Sequence, residues 1–470
     1  MSIIIPGTKL AGAAAHPIDQ SIRFNDDDSP ELTKTYSGAG SRTTQTFSVW
    51  FKLGTTQSSS GFNFYNGGTG TSDTTWSGIS IYDHKIYLQG YSTNWKITTR
   101  VLRDHSAWYH LVYIWDTTNS VASERVRLYI NGQRETDFST DNNPGASASS
   151  GIGQAAKHSI GNQSRVVGYS YADAYMAEIV FIDGTAYGPE NFGEENDNGI
   201  WVPKDVSGLT FGTNGFWIDG RDSGDLGDDE SGRGNDYTAS GLAAHDQVSD
   251  SPTNNFAVLN PVDTYSKLVG EIRNGNLELK DNSASVYVHG RATFGFDVTD
   301  SDGFYWESCD VVDGSQIGGI CEDNAVIPSG SDVGFTGARG SNSINSNNWY
   351  KLDGTTYYST SLGVSSNAGD IAQFCVKNGK LFIGVNGTYV LSGNPATEAN
   401  PLFTGLTGIF MPFGGLYSGY SYNTVYNFGQ DGTFAGNKTA QGNTDANGYG
   451  NFFYAPPSGA KSLCSKSLGS

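Results

Sequence analysis

The sequence predicts an all-β protein of two tandem antiparallel β-sandwiches joined by an acidic connector. Glycine is abundant (62 of 470 residues), aromatics make up 13%, and methionine is scarce (3 residues). That is the profile of short strands linked by many turns. Two regions alternate with period two and fold back at Asn-Gly turns. They are AWYHLVYIWD (107–116) with RVRLYINGQRETDF (125–138), and GDIAQFCVKNGKLFIGVNGT (369–388) with YNFGQDGTF (426–434). A chain of this length accommodates about two to three domains, each with its own core.

Residues 1–20 read as an irregular N-terminal arm without the basic n-region and long apolar stretch of a secretory signal. No run of about 18 apolar residues exists anywhere, so no helical membrane span and no membrane insertion are expected. The first module covers 21–204. TFSVWFKLG (46–54) alternates as a strand, and GISIYDHKIYLQGY (78–91) reads as a hairpin around Asp83 and His84. WYHLVYIWD and the RVRLYING hairpin follow, and HSIGNQS (158–164) and AYMAEIVFIDGTAY (174–187) supply closing strands. With Phe47 to Phe51, Trp108 to Leu111, Leu128 to Gly132 and Ala177 to Ile179 in that order, the stretch resembles a laminin-G-like, concanavalin-A-like lectin module of the jelly-roll type. The resemblance implies that Trp108 and His110 are core residues.

Residues 205–262 change character. Between Asp219 and Asp236 the chain holds seven acids and two arginines, spaced by Gly and Ser and lacking a periodic apolar face. This composition predicts a connector. The second module covers 263–436. Its Tyr305-Trp306-Glu307 strand, the IGGI strand (317–320), the GDI hairpin turning at Asn378-Gly379, and NFGQ (427–430) resemble a SPRY domain. Relative to that family, TGLTGIFMPFGGLYSGYS (404–421) is a longer Gly- and Tyr-rich insertion. Residues 437–470 form a polar tail with one aromatic patch at Phe452, Phe453 and Tyr454. Within it YGNFFYAPPSGAKSLC, together with SPTNNFAVLNP, resembles structural proteins of marine tailed bacteriophages.

The charge balance is 48 Asp+Glu against 28 Lys+Arg, a formal net charge of −20. A surface of that sign repels phosphate backbones, so nucleic acid is not an expected partner. The four cysteines, Cys309, Cys321, Cys375 and Cys464, lie in the second half without CxxC spacing and read as free thiols made in a reducing cytoplasm. Strand parity groups Cys375 with Gln373 and Lys377, opposite Ala372, Phe374 and Val376.

Catalytic patterns fail on spacing. Retaining glycanases need two carboxylates about 5–5.5 Å apart. The local candidates, Glu178 and Asp183, are five apart on one strand and fall on opposite faces. A nucleophile elbow of the G-x-S-x-G kind is missing. Of the seven histidines, His105 and His110 alone approach ligand spacing, and His110 sits in a core strand. No catalytic residue is expected, and the chain reads as a non-enzyme.

Two acidic groups offer the hard oxygens that Ca²⁺ takes: Asp219, Asp222, Asp225, Asp228, Asp229 and Asp236 in the connector, and Asp26, Asp27 and Asp28 in the first module. Neither is an EF-hand, and a solvated acidic loop is the competing reading. Ca²⁺ is the one cofactor these patterns point to. Loop aromatics could stack on pyranose faces: Trp76, Tyr91, Trp95, Tyr169 and Tyr171 in the first module, and Tyr417, Tyr420 and Tyr422 in the second.

Taken with the phage resemblance, these features imply a virion component, a tail fibre or similar appendage. It would bind a host-surface glycan or receptor through loops at the sandwich ends and contact other virion proteins. The resemblance is compatible with a homo-oligomer. A capsid-decoration or tail-adaptor protein without host contact is the alternative, and a polysaccharide depolymerase is disfavoured by the lack of an acid pair.

Overall fold

The computed structural model describes residues 16–54, 61–166, 170–264, 272–280, 287–312, 316–326, 335–343, 348–354, 356–365, 367–417 and 422–468. The chain forms two compact units, Ala11–Thr253 and Asn254–Ser470. Each is a pair of antiparallel sheets enclosing one principal apolar core.

In the first unit, one sheet runs Gln133–Arg134, Val126–Ile130, Trp108–Asp116, Thr44–Leu53, Ala174–Asp183, Ser21–Phe24 and Gln247–Val248, with Phe216–Ile218 also paired to Ala174–Asp183. The facing sheet runs Phe138–Asp141, Asn94–Thr98, Lys85–Gly90, Ser77–Tyr82, Phe62–Gly67, Lys157–Ile160, Glu31–Thr35 and Thr238–Ser240. Alternation decides the layers. Phe47, Val49 and Phe51 meet Phe62, Phe64, Ile79, Ile81, Ile86 and Leu88 in the core. The hairpin at Asp83 and His84 pairs Tyr82 with Lys85 and puts both turn residues at positive φ (50° and 59°). Asn131-Gly132 does the same at 49° and 74°. Both are the primed two-residue turns that suit the twist of the flanking strands.

The connector expected at 205–262 is not a connector. Residues up to 253 belong to the first sandwich, adding the strands Phe216–Ile218, Thr238–Ser240 and Gln247–Val248. Phe216, Ile218, Leu226 and Tyr237 enter its core, and Val206, Phe211 and Trp217 cover the outer face of the first sheet against Val112, Ile114, Val180 and Ile182. Farther along, Lys52 and Asp250 form a fully buried ion pair at 2.8 Å, and Trp108 Nε1 donates to the same carboxylate at 3.0 Å. Strands of two or three residues show no periodicity of their own; pairing with distant partners stabilises them.

The second unit pairs a sheet ordered Leu259–Thr264, Tyr287–Ala292, Ile409–Tyr417, Gln316–Glu322, Arg339–Asn342, Asn348–Asp353 and Thr356–Ser365 with one ordered Ile272–Arg273, Glu278–Lys280, Asn423–Asn427, Phe304–Val312, Ile371–Lys377, Lys380–Val385 and Thr388–Tyr389. It begins before residue 263: Phe256, Ala257, Val258 and Leu259 are fully buried in this unit. The expected tail is part of it too. Phe452 packs edge-on to Tyr305 at 5.0 Å, and the Phe453 and Tyr454 amides donate to the Glu307 carboxylate at 2.9 and 2.8 Å. All four cysteines are free and buried. Cys375 keeps its expected parity, away from Ala372, Phe374 and Val376, yet is covered by Phe452 and Ala460 from the C-terminal segment.

Candidate functional site

The second sheet of the first sandwich has two faces. Phe62, Phe64, Ile79, Ile81, Ile86 and Leu88 point into the core. The alternate residues Asn63, Gly78, Ser80, Tyr82, Tyr87 and Gln89 therefore take the outer face. All of these but Gly78 line an open cleft of about 680 Å³. Cross-strand pairs set its texture, with Asn63 opposite Ser80, Ser80 opposite Tyr87 and Gly78 opposite Gln89. Ser80 Oγ donates to Gln89 Oε1 at 2.9 Å, and Gln89 Nε2 donates to Asn94 Oδ1 at 3.0 Å.

Gly78 leaves room for Asn63 and Trp76 to pack over it. A Cβ there would stand 2.8 Å from Asn63 Oδ1 and 3.1 Å from Trp76 Cζ2. Asn63 and Trp76 are each only 5% exposed, and Asn63 Oδ1 and Trp76 Nε1 have no hydrogen-bond partner among the described residues. Both atoms are themselves buried, so the polar groups the cleft offers are the Gln89 and Asn94 side chains of the Ser80–Gln89–Asn94 chain. At the rim Tyr82 and Tyr91 are 46% and 42% exposed, and Tyr82 meets Tyr87 edge-on at 6.0 Å.

The two walls are held by side chains outside the cleft. Asp73 accepts from the Ser92 amide at 2.6 Å, the Thr93 amide at 3.2 Å, and the hydroxyls of Ser92 and Thr93 at 3.1 and 2.6 Å. Burial pushes its carboxyl up, but these four donors outweigh that and leave it below the usual carboxylate range. On the other side Asn66 Nδ2 donates to the Asn162 carbonyl at 2.6 Å, and the Ser164 amide donates to Asn66 Oδ1 at 2.7 Å. This delivers Gln163 and Arg165 to the cleft, where the Arg165 guanidinium lies 5.1 Å from the Tyr91 ring centre.

Of the aromatics expected to stack on sugar, Trp76 and Tyr91 line the cleft. Trp95 does not. A register shift between Leu88 and Gln89 leaves it bulged, and it packs into the core against Trp115 at 5.8 Å. Tyr171 is half-buried and lies outside the lining, and Tyr422 packs against the second core. Tyr169, Tyr420 and the side chain of Tyr417 lie outside the described residues. Asn63, Ser80, Tyr82, Gln89, Gln163 and Arg165 were not foreseen. The signal for the strand residues was present, a run of small and polar side chains alternating with apolar ones in GISIY and KIYLQG.

Glu178 and Asp183 are kept apart as expected, though by another route. Glu178 sits at φ 50° in a bulge between Ala177 and Val180, which turns it to the outer face. There it accepts from Trp217 Nε1 at 2.8 Å, while Asp183 accepts from the amides of Ser41 and Asn214 at 2.6 and 2.9 Å. Trp108 and His110, expected in the core, lie instead on the outer face of the first sheet, the side strand alternation gives them with Val112 and Ile114. There His110 is buried between Trp50 and Trp201, bonded to Ser48 Oγ at 2.8 Å and accepting from Trp201 Nε1 at 2.9 Å. Burial lowers its pKa to about 3, and that of His105 to about 4.

The aspartates read as Ca²⁺ ligands do not form a donor set. Asp219, Asp222 and Asp225 each accept the amide two residues on, from Arg221, Gly224 and Gly227. Asp229 accepts the amides of Trp217, Ser231 and Asn235, and Asp236 accepts that of Asp229. Burial and the neighbouring Asp236 and Asp225 raise the Asp228 carboxyl. Asp26, Asp27 and Asp28 form an exposed 3-10 turn. Among the described residues no three His, Cys, Asp or Glu side chains converge as a cation site.

No protein-family model matches the chain, and no curated protein matches it. Among solved structures it is similar to the native heptameric SAP-like pentraxin from Limulus polyphemus, at 16% identity over 37% of this chain and 80% of that one, with a TM-score of 0.26. It is similar to the SPRY domain of human HERC1, at 14% identity over 36% of this chain and 96% of that one, with a TM-score of 0.23. It is also similar to domains LG4-5 of the mouse laminin alpha1 chain, at 10% identity over 86% and 84% of the two chains, with a TM-score of 0.29. At these values the β-sandwich assignment rests on the paired sheets and their cores, not on the superpositions.

Proposed function

We propose that this chain is a non-enzymatic binding protein that holds glycan in the outer-face cleft of its first sandwich. We further propose that it serves in the tail fibre or similar appendage of a tailed-phage virion, as a host-attachment component alongside other virion proteins. The observation that carries the reading is the cleft's mixed lining. A pyranose has an apolar face and a rim of hydroxyls that both donate and accept. Exposed Tyr82 and Tyr91 suit the first, and the Ser80–Gln89–Asn94 chain suits the second. No carboxylate is among the lining residues, so the acid pair of a glycosidase is missing from it. The virion assignment is supported by the phage resemblance of residues 251–261 and 449–464.

Retention of the full chain on host cell-surface polysaccharide tests the cleft. Wild type is expected to be retained, and Tyr91→Ala to lose retention with its melting curve unchanged. Equal retention by both retires the cleft. A cryo-EM map of the intact particle tests the placement: density at the tail supports it, density in the capsid lattice favours a decoration protein, and release of reducing ends from the polysaccharide would make it a depolymerase.

A further inference from the structure

The residues lining the cleft include one charged side chain, Arg165, and no Asp or Glu. That is an unexpected balance for a protein with 48 acids and 28 bases. Four other arginines of this unit are ion-paired, Arg23 with Asp246, Arg100 with Glu135, Arg134 with Glu124 and Arg221 with Asp219, and Arg42 and Arg125 donate to backbone carbonyls. Arg165 has no ion pair among the described residues, and its Nε is buried without a hydrogen-bond partner. The undescribed residues of the unit, 11–15, 55–60 and 167–169, carry no carboxylate that could supply one. The guanidinium carbon lies over the Tyr91 ring, and its two terminal nitrogens are the donors it can offer an acceptor in the cleft. Its position is built, since Asn66 anchors both Asn162 and Ser164 immediately before it.

We infer that Arg165 makes the cleft selective for anionic saccharides, gripping a sugar carboxylate or sulfate ester while the tyrosines and the polar floor hold the rings. The inference rests on the glycan reading above and adds the charge class of the ligand. An Arg-to-anion bond is charge-assisted and bidentate, stronger than the neutral bonds available elsewhere in the cleft. The chain's net charge of −20 opposes an anion at long range. Screening limits that repulsion to about 8 Å at physiological ionic strength. The nearby Asp73 already commits both oxygens to Ser92 and Thr93.

The experiment measures binding of the full chain to immobilised pectate, alginate and carrageenan beside dextran, laminarin and mannan. Wild type is expected to bind at least one of the anionic polymers and to weaken as salt rises. Arg165→Gln is expected to weaken that binding about tenfold to a hundredfold, and Arg165→Lys, which keeps charge but not the fork, to restore part of it. Preference for pectate or alginate identifies a carboxylate; preference for carrageenan identifies a sulfate ester. Binding confined to the uncharged polymers, binding without salt dependence, or an Arg165→Gln affinity within about twofold of wild type overturns the inference and leaves the glycan reading standing. Binding to none of the six overturns both. The salt measurement needs no variant, so the test does not depend on how Arg165→Gln folds.

Discussion

Glu307→Gln removes a charge from the interior of the second sandwich without changing the shape of the side chain that bears it. Glu307 is fully buried and accepts four hydrogen bonds. They come from the amides of Phe453 (2.9 Å) and Tyr454 (2.8 Å), the Tyr305 hydroxyl (2.8 Å) and Asn427 Nδ2 (3.4 Å). Burial pushes its carboxyl up to about 7, against the opposing pull of those donors. Unfolded, a glutamate titrates near about 4.3. Between the two values the folded chain holds more protons than the unfolded one. The stability linked to this group is therefore complete below the lower value and is lost as pH rises through the upper one. At roughly 1.4 kcal/mol per pH unit the window amounts to about 3–4 kcal/mol. Urea titration read by hydrogen exchange in peptides from the Phe304–Val312 strand reports this unit alone. Between roughly pH 5 and pH 8 wild type should lose about 3 kcal/mol more than Glu307→Gln. An identical pH slope in both proteins refutes the reasoning.

Two further outcomes are expected. Asp250→Ala removes the carboxylate that holds the Lys52 ammonium in the interior, and should cost about 3–5 kcal/mol by chemical denaturation of the first sandwich; a loss under about 1 kcal/mol contradicts the buried pair. Millimolar Ca²⁺ or a chelator should leave the melting curve in place, because the Asp219 to Asp236 carboxylates are engaged with their own loop amides. Ca²⁺ at a hundredfold excess over its Kd would add about 2.7 kcal/mol, a shift readily seen.

Much of the framework was legible one strand at a time. Paired turns at Asp83-His84, Asn131-Gly132 and Asn378-Gly379 formed where their residues tolerate positive φ. Cys375 faces the side its parity requires, although that side proved apolar because Phe452 and Ala460 cover it. The candidate site was half legible. Trp76 and Tyr91 were foreseen, but the bulge at Trp95 reversed the direction of an equally plausible neighbour. Nothing near Arg165 in the sequence brings it to Tyr91, 74 positions away; the Asn66 side chain does.

From the sequence by itself came the all-β class, the order of the two sandwiches and the inward set of most strands. Alternation and turn chemistry act over a few residues and are written locally. Tertiary structure decided that residues 205–253 complete the first sandwich, that the C-terminal segment closes over the second, and that a cleft gathers residues from 61–63 and 76–94 with Gln163, Arg165 and Ser170. Those outcomes depend on which distant strands pair and which apolar faces need covering, energies that arise only when segments far apart in the chain meet.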